Sequence, residues 1–444
     1  MSKPKTSPID LIVYPIQRFM RQEKAGGIML GISVILALFL ANSAWSEPYF
    51  LFLKHKLGLQ FDGKTYLEYD ILHWVNDGLM AIFFFVVGLE LKREFVGGEL
   101  SNPRKALLPI GAAIGGMVVP AVIYFFLNPA GEMNRGWGIP MATDIAFSLG
   151  VLYLLGDRIP LSLKVFLTAL AIVDDLGAVL VIAFFYTSDI YIVNLFIGFV
   201  FITTMYIGNK LGIRNIIFYA ILGIGGVWTA FLLSGVHATI ASVAAAFTIP
   251  ADVQIDENTF ITKIQNYLHR FKAIDPNGKP TLSEDQLFIL DGVRQSTNAA
   301  MPPLQRLEVA MHPFVIFIII PIFALANAGV SIKIDPDCLF NTHIAIGAGA
   351  GLLFGKFIGV VGATLLMVKL NIARFPRGMT TKNLCGIGFL TSIGFTMSLF
   401  ITSLAFTNPE HIIQAKIGIF AASIIGGVAG YILLRRSAGN SQYV

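Results

Sequence analysis

Two neighbouring carboxylates, Asp174 and Asp175, lie in the middle of an apolar run from Leu161 to Tyr186 that is long enough to cross a lipid bilayer. A charged side chain at the centre of a membrane helix costs roughly 2.5 to 3.5 kcal/mol on insertion scales, so two in succession need compensation. Adjacent residues of a helix point about 100° apart, and the two carboxylates therefore face different neighbours. We expect one to point into a cavity and bind a cation, and the other to meet a basic group.

Few other ionisable residues lie deep in apolar runs. Lys356 lies midway along one of them, and Asp144 follows Thr143 shortly after Pro140. A carboxylate supplies the oxygen ligands that a hard ion such as Na⁺ or Li⁺ prefers, but only once its proton has left. Proton and metal ion therefore compete for the two central carboxylates, and competition at one site that opens alternately to each side of a membrane is antiport. The alternative is a buried salt bridge that only fixes helix packing, which a single lysine could provide for one of the three carboxylates.

The elements that must position these groups are membrane helices. Hydrophobic residues make up 55% of the 444-residue chain, and Asp, Glu, Lys and Arg only 13%, where soluble domains have about 25% charged residues. Apolar stretches of about 20 residues predict about twelve crossings and an all-α polytopic membrane protein. Their predicted limits are 27–45, 71–91, 107–127, 138–156, 162–186, 192–211, 215–234, 236–249, 312–332, 343–368, 382–406 and 411–434.

Lysine and arginine collect in the loops on one side of these crossings, which the positive-inside rule assigns to the cytoplasm. Both termini fall on that side, so residues 1–26 and 435–444 are predicted to be a cytoplasmic amino-terminal segment and a cytoplasmic tail around a transmembrane domain at 27–434. The chain has a sequence pI of about 9.0, but no basic stripe with interleaved aromatics indicates nucleic-acid binding. The basic loops instead face anionic membrane lipid. The two cysteines, Cys338 and Cys385, give neither a disulfide framework nor metal-ligand spacing.

Two polar segments interrupt the helices. The first, 46–70, holds Asp62-Gly63 between two alternating runs, which predicts a hairpin on the periplasmic side. Its exposed edges favour a homodimer contact as much as they favour a surface ribbon without a partner. The second, 251–306, mixes acidic and basic residues and is predicted to be a cytoplasmic loop with some helix and no chemistry.

Two of the predicted crossings contain residues that break helices. Pro140 interrupts the fourth, and Gly386, Gly388 and Gly394 interrupt the eleventh. Broken helices place free carbonyls and dipole ends at mid-depth in the membrane, which suits ion binding. The alternative for the glycines is ordinary close packing of membrane helices.

Several motifs resemble the NhaA family of bacterial sodium/proton antiporters, and the resemblance covers nearly the whole membrane portion. The motifs are GLELKRE at 88–94, ATDIAFSLG at 142–150, AIVDDLG at 171–177, SGVHAT at 234–239, FALANAGV at 323–330, GK at 355–356 and GFTMSLF at 394–400. The resemblance implies a multi-pass protein of the bacterial inner membrane with an inverted repeat, helices 3–5 being mirrored by helices 10–12. It also implies that the broken fourth and eleventh helices cross at the ion site.

The resemblance gives roles to individual residues. Asp174 and Asp175 would carry the metal ion and the protons, Thr143 and Asp144 would shape the crossing, and Lys356 would offset its dipoles and pair with Asp174. Release of both protons for each ion would make the exchange electrogenic. No cofactor is implied, only the transported sodium or lithium ion and protons. The candidates for pH regulation are Asp77, Glu90, Glu94, Glu308 and His312, matching a cytoplasmic funnel, and His237 near the opposite side.

The chain departs from the family pattern at two positions. Val309 stands where some relatives have a second histidine, and Ser392 stands where relatives often have glycine. The second departure leaves two possible places for the break in the eleventh helix.

Two other classes of protein are compatible with intramembrane carboxylates. A cation channel would need a selectivity ring or filter loop, and none is recognisable. An intramembrane aspartyl protease needs its two carboxylates on different helices facing one water, whereas here the central pair is adjacent on one helix. The sequence therefore favours a transporter over an enzyme.

Overall fold

The computed structural model describes residues 25–62, 64–129, 131–187, 190–274, 281–330, 343–376 and 378–439. Its helices begin with α1 Ala25–Asn42, α2 Ser46–Lys54, α3 Ile71–Gly97, α4 Pro103–Leu127, α5 Gly131–Met141, α6 Ile145–Leu154, α7 Leu161–Phe185, α8 Ile192–Lys210 and α9 Ile216–Ser234. They continue with α10 Ala238–Thr248, α11 Glu257–Lys272, α12 Glu284–Ala300, α13 Pro303–Asn327, α14 His343–Lys369, α15 Thr381–Leu390, α16 Phe395–Ala405 and α17 Pro409–Gly439. Strands β1 Lys56–Phe61 and β2 Lys64–Asp70 lie between α2 and α3.

Nine helices in the described ranges are long and apolar enough to cross a membrane, namely α1, α3, α4, α7, α8, α9, α13, α14 and α17. Two further crossings are bent pairs: α5 and α6 meet at 42°, and α15 and α16 meet at 44°. The short apolar helix α10 corresponds to the eighth predicted crossing. The prediction of an all-α polytopic membrane protein with two broken helices is therefore confirmed.

Some predicted helix limits were too short, because the helix continues beyond its apolar stretch into a polar segment. Helix α13 begins at Pro303 instead of residue 312, because its first turns carry polar residues that an apolar window does not count. Helix α17 continues to Gly439, into the segment predicted as a tail. The predicted amino-terminal segment up to residue 24 and Cys338 lie outside the described residues.

The hairpin is shorter than the 46–70 segment assigned to it. Strands β1 and β2 pair antiparallel with Phe61 opposite Lys64, which leaves the predicted two-residue turn. Asp62 has a φ of 50°, the positive value that a tight hairpin turn requires. Residues 46–54 form helix α2 ahead of the hairpin. Pro48 lies in its first turn, where a missing N–H leaves no hydrogen bond unmade.

The 251–306 segment is mostly helical. Helices α11 and α12 pack against each other as a pair. Asp256 accepts a hydrogen bond from the backbone N–H of Thr259 at the start of α11, and Ser283 and Gln286 form a reciprocal capping box at the start of α12. No residue of α11 is buried, so the pair lies on the surface of the protein.

Close packing of α4 against α14 brings a lysine into the core. Gly115 and Gly359 meet backbone to backbone, and a side chain at either would collide with the other helix. At Gly116 an added Cβ would collide with Cγ2 of Val360 at 2.8 Å, so this glycine also lets α14 approach α4 closely, with Cδ of Lys356 only 3.8 Å from the same point. A wide, π-helical turn at Gly351–Gly355 immediately precedes Lys356. The glycines of both helices thus place a basic side chain in the interior.

Candidate functional site

The fourth crossing breaks directly after Pro140. The 3₁₀-helical segment α5 ends at Met141, and α6 begins at Ile145. Asp144 caps α6, because its Oδ1 accepts a hydrogen bond of 2.9 Å from the N–H of Phe147. The break therefore leaves a buried carboxylate at the amino end of α6.

The eleventh crossing breaks at its second glycine pattern. Helix α15 ends at Leu390 and α16 begins at Phe395, so Gly394 immediately precedes the second half. Gly386 and Gly388 lie inside α15, and the expectation that they also interrupt this crossing was wrong. A side chain at Gly386 would collide with Leu434 and one at Gly388 with Val361, so both serve close packing.

The two breaks lie against each other through a reciprocal pair of hydrogen bonds. Ser148, the fourth residue of α6, donates from Oγ to the carbonyl of Leu390 at 2.9 Å. Ser398, the fourth residue of α16, donates to the carbonyl of Ile139 at 2.7 Å. Each serine thus satisfies a carbonyl near the end of the first half of the other crossing. A two-fold relation between the two broken helices would produce such an exchange.

Asp144 lies at the amino ends of two helices at once. Its Oδ2 accepts hydrogen bonds from the hydroxyl of Thr396 at 2.6 Å and from the N–H of Thr396 at 3.0 Å, in the first turn of α16. Its own N–H donates to Ile393 at 2.7 Å, and Thr143 donates to the carbonyl of Thr391 at 3.1 Å. A negative charge is stabilised at a helix amino end, and this carboxylate serves both α6 and α16.

Asp174 and Lys356 form a buried ion pair between α7 and α14. Nζ of Lys356 donates to Oδ2 of Asp174, and both side chains are 0% exposed. The residues are far apart in sequence, and the contact depends on the position of α14 beside α4. It matches the pairing that the family resemblance implied.

Asp175 faces a different direction and has no such partner. Among the described residues, neither of its carboxylate oxygens receives a hydrogen bond, nor does Oδ1 of Asp174, although all three atoms are buried. Asp175 lies within Coulombic range of Asp174, Asp144, Lys356 and Glu90. Buried oxygens without donors require a proton or a hard cation, because an unpaired buried carboxylate is costly.

A cavity of about 440 Å³ connects Asp175 with the end of α3. Its polar lining includes Asp144, Glu90, Thr396 and His312. The cavity therefore offers the deepest carboxylate a route toward the side on which α3 ends. Within the described ranges, no three His, Cys, Asp or Glu side chains converge as they would around a tightly held metal ion.

Four of the candidates for pH regulation lie near one another on α3 and α13: Glu90 and His312 line this cavity, and Glu94 and Glu308 lie beside it. Arg93 bridges two acids, donating to Glu308 at 2.6 Å and to Glu94 at 2.9 Å. Nε2 of His312 lies 3.9 Å from Oε1 of Glu90. These contacts join α3 to α13, so their protonation is linked to how the two helices pack.

Asp77 lies elsewhere, and its expected place in the same funnel was wrong. It is 13 residues before Glu90 on α3, which is about 20 Å along a helix. Asp77 contacts His73 at 3.2 Å and lies within Coulombic range of His237. His237 itself contacts the carbonyl of Tyr186 at 2.7 Å, just past the end of α7. These residues are therefore at the opposite end of the molecule from the Arg93 cluster.

Sequence reasoning missed three residues of this network. In the sequence analysis, Arg93 and Thr396 were only parts of the motifs at 88–94 and 394–400. Tyr186 was noted only as the end of an apolar run, yet its hydroxyl donates to the carbonyl of Arg135 at 2.6 Å. For two of them the position in the sequence indicated a role. Arg93 lies between the candidate acids Glu90 and Glu94, and Thr396 lies two residues after the helix-breaking Gly394.

Comparison with known proteins agrees with this geometry. The family model described as Na⁺/H⁺ antiporter 1 matches residues 17–434. The Na⁺/H⁺ antiporter NhaA of Oleidesulfovibrio alaskensis is 48% identical over 96% of this chain and 95% of its own length. NhaA 2 of Syntrophotalea carbinolica is 45% identical, over 98% of this chain and 99% of its own length.

A third relative, NhaA 1 of Saccharophagus degradans, is 47% identical over 98% of this chain and 94% of its own length. The family model covers every predicted crossing, and identity at this level extends over nearly complete chains. The chain belongs to the Na⁺/H⁺ antiporter 1 family.

Proposed function

We propose that the chain exchanges Na⁺ or Li⁺ for protons across the bacterial cytoplasmic membrane, and that Asp174 and Asp175 carry both. The observation that carries the proposal is the set of three buried carboxylate oxygens, two on Asp175 and one on Asp174, that receive no hydrogen bond from the described part of the chain. Such oxygens are ligands for an alkali ion when ionised and are neutral when protonated. One site therefore holds either species and excludes the other.

Charge counting at this site predicts electrogenic exchange. With one Na⁺ bound, two carboxylates and the Lys356 ammonium sum to zero. With both carboxylates protonated, the same site carries one positive charge. A cycle that alternates between the two states moves one net charge, corresponding to two protons for each ion. If Lys356 releases a proton in place of Asp174, the cycle still moves two protons and one net charge for each ion, and only the group that carries the second proton differs.

The cavity beside Asp175 supports access from the cytoplasm. Its outer end lies near the end of α3, and the first turn of α4, which follows on the same side, carries Arg104 and Lys105. Loops rich in Lys and Arg stay on the cytoplasmic side. With twelve crossings, both termini then lie in the cytoplasm as well. We therefore assign the described conformation to the state that opens inward.

The Arg93 cluster supports regulation by pH. Protonation of Glu308 removes an acceptor of Arg93, and protonation of His312 adds a charge beside Glu90. Each change alters the bridge between α3 and α13 at the mouth of the cavity. Among the described residues no other strand pairs with either edge of the hairpin β1–β2, which suits a homodimer formed by strand pairing.

Proton flux in proteoliposomes tests the exchange and its site. Purified protein with an internal pH dye should release trapped protons on addition of Na⁺ or Li⁺, with K⁺ added in turn to define selectivity. Asp174→Asn and Asp175→Asn should each abolish exchange without loss of folded protein. Asp291→Asn, an equal substitution on the exposed surface of α12, should exchange at the wild-type rate.

The pH dependence of the apparent Na⁺ affinity tests competition at one site. If two protons leave for each ion, the apparent KM for Na⁺ should rise by up to about 100-fold for each pH unit of acidification. An affinity that is independent of pH, or normal exchange in either aspartate variant, contradicts the proposal. Na⁺ flux without obligatory proton flux would indicate a channel instead.

A further inference from the structure

A second cavity lies away from the ion site, on the side where α4 and α7 begin. Its volume is about 900 Å³, and it is enclosed by the first turns of α4 and α7 and by residues 371–376 after α14. Three basic side chains line it, Arg104, Lys105 and Arg374, with one acidic side chain, Glu99. The cavity therefore carries an excess of positive charge.

Two of these basic groups are not neutralised by protein. Lys105 lies 3.7 Å from Glu99, and the two form an exposed ion pair. Neither Arg104 nor Arg374 forms an ion pair with a carboxylate of the described residues. Two guanidinium groups that line one cavity repel each other, and an anion between them removes that cost.

The remaining wall of the cavity is apolar and partly open. Leu161 is 73% exposed and Ile372 is 51% exposed, although both line the same cavity as the arginines. Leu108 and Phe166 form a buried floor beneath them. An apolar wall beside a cationic rim is the composition of a site for an amphiphile with a negative head group.

We propose that this cavity binds an anionic phospholipid of the cytoplasmic leaflet. Its phosphate lies between Arg104 and Arg374, and its glycerol and upper acyl segments cover Leu161 and Ile372. A free phosphate or nucleotide would use the arginines and leave the apolar wall in water. A zwitterionic lipid would cover the wall, and its own cation would oppose the arginines.

The position of the cavity gives the lipid a mechanical connection to the ion site. Helix α7 begins at the cavity wall and carries Asp174 and Asp175, and the 371–376 loop follows α14, which carries Lys356. A bound lipid would tie the ends of these helices together at the membrane surface. Binding of the lipid does not depend on ion exchange, so the two proposals stand or fall separately.

Lipid titration of the full-length protein by native mass spectrometry tests the site. The probes are phosphatidylglycerol and phosphatidylcholine with identical acyl chains, and inorganic phosphate alone. In Arg104→Gln/Arg374→Gln, affinity for phosphatidylglycerol should fall about 30-fold. A basic residue near an anionic surface contributes roughly 1 kcal/mol to binding, which corresponds to about fivefold in affinity for each arginine.

Two double variants serve as controls. Arg104→Lys/Arg374→Lys keeps the charge and should retain most of the binding, which also shows that the site tolerates substitution. Arg270→Gln/Lys272→Gln removes the same charge from exposed α11, outside the cavity, and should bind like wild type. Thermal melting with phosphatidylglycerol should show stabilisation in wild type and in both controls.

Three outcomes would overturn the proposal. The first is wild-type affinity for phosphatidylglycerol in the double glutamine variant. The second is equal affinity for phosphatidylcholine, which would make the cavity an apolar groove without head-group recognition. The third is equal protection by inorganic phosphate alone, which would identify a free anion as the occupant. Loss of exchange in Asp175→Asn with lipid affinity unchanged would leave this proposal intact.

Discussion

Removal of the Lys356 ammonium should destabilise the protein, because it leaves Asp174 charged and unpaired in the interior. Both side chains are 0% exposed and hydrogen-bonded to each other. Breaking a buried pair by removing one partner costs about 3 to 5 kcal/mol. With an unfolding entropy of about 2.1 cal/mol/K per residue over 444 residues, this corresponds to a fall in Tm of about 3 to 5 °C.

Lys356→Met is the appropriate change, since methionine keeps most of the stem volume beside Gly116 and removes only the charge. Thermal melting of purified protein at pH 8 and pH 6 measures the effect. The loss should shrink as the pH is lowered, because a protonated Asp174 needs no counter-charge. Lys369→Met, at the exposed end of the same helix, should change stability by less than about 0.5 kcal/mol.

The double variant Asp174→Asn/Lys356→Met removes both charges and should recover at least half of the lost stability. Failure to recover, or an unchanged Tm in Lys356→Met, would refute a charged pair in the resting protein. Exchange in liposomes assigns the role of the lysine. Electrogenic exchange with lowered stability indicates a structural role, whereas electroneutral exchange indicates that Lys356 carries a proton.

Three further predictions concern groups around the site and on the surface. Thr396→Val removes the hydroxyl that donates to Asp144 at 2.6 Å, and it should lower the free energy of unfolding by about 1.5 to 3 kcal/mol, measured by thermal melting. An unchanged Tm would exclude a charge-assisted hydrogen bond between the two side chains. Arg93→Gln should shift the pH of half-maximal exchange, because its acidic neighbours lose their counter-charge; superimposable pH profiles would remove Arg93 from regulation. The hydrogen bond with Thr259 lowers the pKa of Asp256. The stabilisation of α11 by this capping carboxylate is therefore complete above about pH 3.9, the ordinary pKa of Asp, and is lost as the pH falls through the lowered pKa. Hydrogen exchange of α11 should therefore accelerate in acid in wild type, while Asp256→Asn, an uncharged cap, should show no such step.

The sequence by itself determined the features that depend on local order. Apolar runs set the crossings, because each membrane helix satisfies its own backbone. Asp62-Gly63 set the hairpin turn, and the cost of charge in lipid identified Asp174, Asp175 and Lys356 as the residues to examine. Boundaries were wrong where the signal was not local hydrophobicity, as at Pro303.

Tertiary structure alone decided which groups meet. A helix can rotate about its axis without changing its sequence pattern, so the residues do not say which aspartate faces Lys356; the packing of α14 against α4 does. Likewise, the break at Gly394 and not at Gly386 follows from hydrogen bonds that Ser148 and Thr143 donate to the carbonyls of Leu390 and Thr391, across more than 200 residues of chain. Asp77 and Glu90 share one helix and still lie at opposite ends of the protein. Contacts between distant segments depend on how whole helices pack, and no local pattern encodes that arrangement.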